Sequence, residues 1–183
     1  MSGSAMPASV VADAVAAARG YVRLADEVEA VLLARLATTA LLAAEAFCGD
    51  VWVQRAFEAV LPVRPGWLRL PARPITAIAG VTALPAGSAP AVLSVDAYAI
   101  DIDAEATGWI RVAQAGGAAQ VAVSYTAGAA ASFADLPAPI TQGVAMLTAH
   151  LFEARDGATL PPAAVAALWR PYRRMQLAPA VHA

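Results

Sequence analysis

The sequence predicts an α+β fold, mainly a helical bundle with an inserted small antiparallel β unit. Three observations carry the prediction. Apolar residues recur at helical spacing in two separated stretches: Leu32, Leu36, Ala40, Ala43 and Phe47 in one, and Ile140, Val144, Leu147, Leu151 and Ala154 in the other. Between them, residues 51–126 read as short alternating strands divided by turn signals. The length, 183 residues, suits one domain. The expected layout is therefore a single domain over 1–183, helical at 8–49 and 136–175, with the β insertion at 51–126 and a flexible tail at 176–183.

Taken in order, Ser9 is placed to cap a short helix that runs to about Arg19 and turns at Gly20. A second helix is expected from near Asp26 to Phe47, with Glu27, Arg35 and Glu45 off its apolar stripe and Gly49 at its end. The expected strands are VWVQRAF, WLRLP, ITAIAGVTAL, YAIDI, WIRVA and QVAVSYT. Pro65-Gly66, the stretch Pro85 to Ser88, Asp103 to Gly108, and Gly116-Gly117 supply the turns between them. Pro137 and Pro139 fall in the first turn of the next helix, where a missing N–H costs little. A shorter helix runs from about Pro161 to Arg170, and Pro171 ends it. The tail YRRMQLAPAVHA is basic at its start and apolar beyond.

Composition narrows the function. Hydrophobic residues make up 60% and charged residues 14%, against about 25% charged in an average soluble domain. So little polar surface favours a chain that buries surface against partners, an assembly component. About a quarter of the residues are Ala, which favours helices and packs closely but gives little burial energy. All twelve basic residues are Arg, and the net charge of -2 provides no global basic field for nucleic acid or an acidic membrane. Cys48 stands alone, without a partner for a disulfide or a thiolate cluster, and reads as a small buried hydrophobe. The N-terminus lacks the basic start of a secretory signal, and the uncharged stretches Pro74–Val95 and Val112–Ala134 are broken by Gly, Pro, Ser or Gln. A cytosolic, reduced protein that makes no membrane contact is expected.

Candidates for chemistry are few. His150 and Glu153 stand at i and i+3, neighbours on one helix face. A di-iron helix wants Glu-x-x-His in two copies, and a zinc protease wants H-E-x-x-H; neither occurs. The pair reads as a boundary histidine bonded to its helix neighbour. Ser124 is outside any G-x-S-x-G elbow, and neither a Walker A nor a G-x-G-x-x-G loop is present. Asp96, Asp101, Asp103 and Glu105 lack the calcium-loop spacing and read as the solvated edge of a hairpin. Arg170, Arg173 and Arg174 form the one basic cluster. Two readings stand: cations satisfying a helix C-terminus, or, because an apolar tail comes next, a docking segment for a partner.

In order and spacing, the elements resemble those of the head–tail connector (adaptor) proteins of long-tailed bacteriophages and of phage-derived gene transfer agents. The resemblance covers roughly Ala12 to Tyr172 and rests on a series of motifs. The N-terminal helix and turn read AVAAARGYVRL. A long helix finishes in A-E-A-F-x-G, here Ala44 to Gly49, and the next strand has Trp52 at its centre. LRLPARPI, Leu68 to Ile75, forms a Pro-rich corner, and Tyr125 to Gly128 a Tyr-Thr-Ala-Gly strand end. The helix after it opens on Leu136-Pro137 and closes on A-H-x-x-E-x-R, Ala149 to Arg155. Pro171-Tyr172-Arg173 closes the terminal helix. Leu151-Phe152, Ala154 and the looser corner Pro-Ala-Arg-Pro depart from the usual pattern.

The resemblance implies a structural protein, with neither catalysis nor cofactor. It would form a ring of its own copies, usually a dodecamer, with the portal protein on one face and a stopper or tail component on the other. DNA would pass through the channel without sequence-specific binding. The expected location is the neck of a virion or virus-like particle assembled in the bacterial cytoplasm. Tyr125, Gly128, His150, Glu153 and Arg155 would then be packing residues. The basic cluster and the start of the tail, Arg170, Tyr172, Arg173, Arg174, Met175 and Leu177, are the expected portal-docking segment. The charge-poor strands around Ile75–Leu84 and Ala118–Tyr125 are expected to carry intersubunit or tail-side contacts, with Val81 and Val121 facing outward. Competing readings are a stopper or tail terminator, a metal-dependent enzyme using His150 and Glu153, and a non-viral adaptor or chaperone.

Overall fold

In the computed structural model, which describes residues 1–22, 29–154 and 161–174, the chain divides into two units. Ala8–Trp52 and Phe133–Ala183 form one, and Met1–Pro7 and Val53–Ser132 the other.

The first unit is helical. It comprises α1 (Ala8–Val22), α2 (Ala30–Cys48), α3 (Ala138–Glu153) and α4 (Ala163–Trp169), the last running into a 3-10 turn, Arg170–Tyr172. Helix α3 packs against α1, α2 and α4. Its apolar face explains this place: Ile140, Val144 and Leu147 are buried, together with Gly143, Ala145, Thr148, Ala149 and Phe152. Pro139 falls in the first turn of α3, as its missing N–H allows. The far end of the expected stripe is displaced, since Leu151 and Ala154 are half-buried and Phe152 takes the interior position.

Helices α1 and α2 correct three expectations. Helix α1 begins at Ala8, so Ser9 lies inside it, and it continues through Gly20 to Val22. The expected start of the second helix near Asp26 lies outside the described residues. The buried face of α2 is Leu33, Ala37, Ala40, Leu41, Ala44, Glu45 and Cys48. Of the expected stripe only Ala40 belongs to it, and Leu32 is 36% exposed. The two faces differ by one position, about 100° around the helix. AVLLARLATTALLAAEAFC is apolar on nearly every side, so spacing alone selects no face. By length and composition α2 would also suit a membrane span, but it packs against α1 and α3.

The second unit is built of strands: β1 (Ser2–Gly3), β2 (Arg55–Pro62), β3 (Leu68–Arg69), β4 (Ile75–Leu84), β5 (Ala91–Val92), β6 (Tyr98–Ile102), β7 (Gly108–Val112) and β8 (Gln120–Ala127). They form a five-stranded sheet in the order β1-β2-β8-β4-β5 and a three-stranded sheet in the order β3-β7-β6. Each neighbouring pair is antiparallel. Strand β8 lies at the centre of the larger sheet, where Val121, Val123, Tyr125 and Ala127 are buried. The Phe57 ring stacks on Tyr125 with centroids 5.8 Å apart. The smaller sheet joins the same core through Leu68 and Ile110, and Gly108 sits against Ile75 and Leu70.

A mainly helical bundle with a small β insertion is therefore the wrong fold class. The described residues are 39% helix and 27% strand, and eight strands form the two antiparallel sheets. The sequence predicts these strands, but as a small insertion; RAFEAVLP and QVAVSYTA are instead full eight-residue strands paired along their whole length, and the strand segment forms a unit of its own. Strands β1 and β5 are two residues each and carry no periodic signal. The expected strand beginning at Val51 starts at Arg55, and Val53 makes only an isolated parallel bridge to Ala130. Val81 and Val121 are 1% and 0% exposed, so they face the core and not a partner.

Candidate interaction site at the C-terminal cluster

The basic cluster is held against the C-terminal end of α2. Trp169, the last residue of α4, is buried, and its indole N–H donates to the Ile140 carbonyl at 3.4 Å. Its ring lies so close to α3 that a Cβ on Gly143 would stand 2.2 Å from Nε1. Phe47 packs on the same ring at 6.0 Å. The Cys48 thiol points at the Trp169 carbonyl, Sγ to O 3.9 Å. Burial pushes this thiol above its ordinary pKa, with Trp52 opposing and Asp50 adding to the rise. Cys48 is thus a packing residue and not a thiolate.

Past Trp169 the chain turns, and Tyr172, Arg173 and Arg174 each meet a group near the end of α2. The Arg174 N–H donates to the Cys48 carbonyl at 2.9 Å, satisfying an orphan acceptor of the helix end. The Arg174 guanidinium pairs with Asp50 at 2.8 Å. Tyr172 meets Trp52 edge-on, centroids 5.7 Å apart at 78°. The Arg173 guanidinium lies over the Phe47 ring at 5.7 Å. Trp52 is fixed in turn by Glu45, whose carboxylate accepts from its backbone N–H at 2.9 Å. Gly49, with φ 80, ends α2 and brings Asp50 and Trp52 into place.

Three guanidiniums therefore stand within five residues. Arg170, Arg173 and Arg174 are exposed and Tyr172 is half-buried. Met175 and Leu177 lie outside the described residues. Such a surface can meet an acidic partner through charge-assisted hydrogen bonds, with the ring of Tyr172 providing apolar area. No local pattern marks Asp50, Phe47 and Trp52 as its supports. The stretch AEAFCGDVW holds all three, but its approach to residues more than a hundred positions away is a tertiary fact.

The remaining candidate residues lie away from this cluster or outside the described residues. Tyr125 is buried in the sheet core, and burial raises its phenol pKa, partly offset by the Ala72 backbone. Gly128 adopts φ 139, and its N–H donates to the Pro74 carbonyl at 2.8 Å. A Cβ there would lie 2.3 Å from the Gln54 nitrogen, so only glycine fits. His150 is half-buried and Glu153 exposed, and both line a shallow cleft with Tyr21, Met146 and Pro162. Arg155 lies outside the described residues. Among the described residues, no three His, Cys, Asp or Glu side chains are placed to hold a metal ion.

The carboxylate cluster contributes a turn staple. The Asp103 carboxylate accepts from the Glu105 and Thr107 N–H groups at 3.0 and 2.8 Å, and from the Trp109 indole at 2.9 Å. The indole bond first, then the Thr107 bond, hold this carboxyl below its ordinary pKa.

No protein-family model and no curated protein matches the chain. Solved structures do. The chain is similar to one in the neck of an empty GTA particle computed with C6 symmetry, at 22% identity, TM-score 0.74 and 98% coverage of both chains. It is similar to a chain in the virion of a native gene transfer agent particle, at 23% identity, TM-score 0.72 and the same 98% coverage of both. A third match, in the neck of a native GTA particle computed with C12 symmetry, has 23% identity, TM-score 0.71 and 98% coverage of both chains. The likeness is one of fold, and it runs from end to end.

Proposed function

We propose that the chain is a structural component of the neck of a phage-like particle, and specifically the adaptor that joins the portal to the tail. The end-to-end fold likeness carries this reading: 98% of this chain superposes on 98% of chains in structures described as gene transfer agent necks. Those necks were computed with C6 and C12 symmetry, which fits a ring of identical subunits. Such a ring joins two different side faces of each subunit and closes on itself. Closure suits a chain with 60% hydrophobic residues, because surface exposed on the monomer becomes buried. The net charge of -2 gives DNA no reason to adhere to the channel as it passes.

In this reading the Arg170–Arg174 cluster meets the portal protein, and the opposite face of the ring meets a stopper or tail component. The work done is positional and involves no bond-making step. A second reading, a stopper or tail terminator, draws support from the strand content, which is higher than the sequence suggested. Retention of the purified chain on immobilised portal rings from the same particle separates the two. Retention that falls as salt rises supports the adaptor; no retention at low salt removes it and leaves the other neck role.

A further inference from the structure

The smaller sheet carries opposite chemistry on its two edges. Strands β3 and β6 are its outer strands, both antiparallel to β7 and therefore parallel to each other. Residues directly opposite in such ladders point to one face. Leu68, Ile110 and Ile100 make one row, on the face that joins the core. The flanking rows point to the other face. Arg69, Trp109 and Asp101 make the first. Arg111 and Ala99 make the second, and Trp67 extends it, with the Arg111 guanidinium 5.2 Å from its ring centroid. The β3 edge thus presents a guanidinium and an indole that is 44% exposed. The β6 edge presents a carboxylate and the small side chain of Ala99, with Ile100 47% exposed behind them. Among the described residues no strand covers either edge, and neither Arg69 nor Asp101 has an ion-pair partner.

We infer that the β6 edge of one copy and the β3 edge of the next are the two sides of a subunit contact, in which Asp101 pairs with Arg69 of the partner subunit and Ala99 makes room for the partner subunit's Trp67. Charge and size select this occupant: the acid and the small residue on one edge match the cation and the large ring on the other. A copy displaced along the sheet lays its β3 parallel to β6, the head-to-tail contact from which rings close. The main chain allows it. Bonded pairs alternate along an antiparallel ladder. The Asp103 N–H donates to the Thr107 carbonyl, and the Leu70 N–H to the Gly108 carbonyl. Counted from these bonds, the main-chain groups of Ile100 and of Arg69 point away from β7. A parallel ladder then bonds Ile100 to Trp67 and Arg69 of the partner subunit. That register is the one that sets Asp101 opposite Arg69 and Ala99 opposite Trp67. The inference rests on the ring reading above.

Disulfide capture tests the contact. Neighbouring strands stand about 4.7–4.9 Å apart, which suits a disulfide. Arg69 and Asp101 of one chain are separated by β7, about 9.5 Å at two strand spacings, which is too far. Both residues are exposed, and the native Cys48 is buried. Particles are purified from cells whose only copy carries Arg69→Cys and Asp101→Cys, oxidised mildly and run on a non-reducing gel. The contact predicts a ladder of covalent multimers, absent from either single variant. Particles that contain the double variant and give monomer alone overturn it. Charge reversal tests it independently. Asp101→Arg and Arg69→Asp should each lose tailed particles when expressed singly. Co-expressed, they should restore them, because an alternating ring sets opposite charges together at every contact. Full yield from both single reversals, or no restoration by the two chains when each is folded by circular dichroism, also overturns the contact. Particles that lack the parent chain altogether overturn the neck reading instead, and with it the ring on which the contact depends.

Discussion

The Glu45 carboxylate accepts a hydrogen bond from the Trp52 backbone N–H at 2.9 Å, inside the helical unit. This bond ties the last turn of α2 to the residue on which Tyr172 packs. It also explains a buried acid that the helical pattern placed off the apolar stripe. Removing the acceptor leaves a buried N–H unpaired. Glu45→Ala is expected to cost about 1.5–3 kcal/mol, and Glu45→Gln, which keeps a neutral acceptor, less. Urea unfolding followed by tryptophan fluorescence reads both values; equal stability of Glu45→Ala and the parent would show that the bond contributes nothing.

Gly128 predicts a larger loss. Gly128→Ala places a Cβ against the Gln54 backbone and holds a non-glycine residue at φ 139. The neighbour is main chain and has no rotamer to move. A cost of about 3 kcal/mol, at the top of the usual range for one substitution, is expected. A variant with unchanged melting temperature would contradict the geometry.

Asp103 gives a pH dependence with a definite sign. Its folded pKa lies below the ordinary value because the Trp109 indole and the Thr107 N–H stabilise the carboxylate. Its contribution to stability is therefore present above the unfolded pKa and is lost as pH falls through the folded one. Asp103→Ala should reduce stability at neutral pH, and the gap from the parent should narrow below about pH 3.9. Parallel unfolding curves at neutral and acid pH would test it, and a gap that widens in acid would refute the assignment.

The exposed cations separate binding from folding. Arg170→Glu combined with Arg173→Glu alters exposed side chains, so stability should move by only about 0.5 kcal/mol for each. Retention on immobilised portal should nonetheless fall to background. Arg174→Ala breaks the 2.8 Å pair with Asp50, but Arg174 is half exposed. Its stability cost should be at most about 1 kcal/mol. Full portal retention by the double charge reversal would take the cluster out of the docking surface.

Val121 tests the corrected orientation of the sheet. At 0% exposure, Val121→Asp buries an unpaired charge. The expected product is insoluble or unfolded chain. A folded, soluble monomer would mean that β8 faces outward after all.

Several elements were legible in the sequence. ITAIAGVTAL and YAIDI are β4 and β6 residue for residue, since β-branched residues bounded by turn signals leave little choice. The end of α2 at Gly49 and the prolines opening α3 were legible because backbone chemistry dictates them locally. The buried face of α2 was not. A helix apolar all round is oriented by its neighbours, and α3 chose Leu33 and Ala37 over Leu32 and Leu36. The fold class failed for a related reason: the strands were legible one by one, but their pairing into a five-stranded and a three-stranded sheet, with the two-residue β1 and β5 at the edges, is long-range and carries no local signal. At the candidate site, the run of arginines was visible as charge. Its anchoring on Asp50, Phe47 and Trp52 depends on a fold that brings residue 174 to residue 48.

The neck assignment is tested most directly by electron microscopy of particles from a strain in which this gene is deleted. The account predicts DNA-filled heads beside detached tails, with tailed particles restored when the gene is supplied in trans. Complete tailed particles from the deletion strain would contradict it.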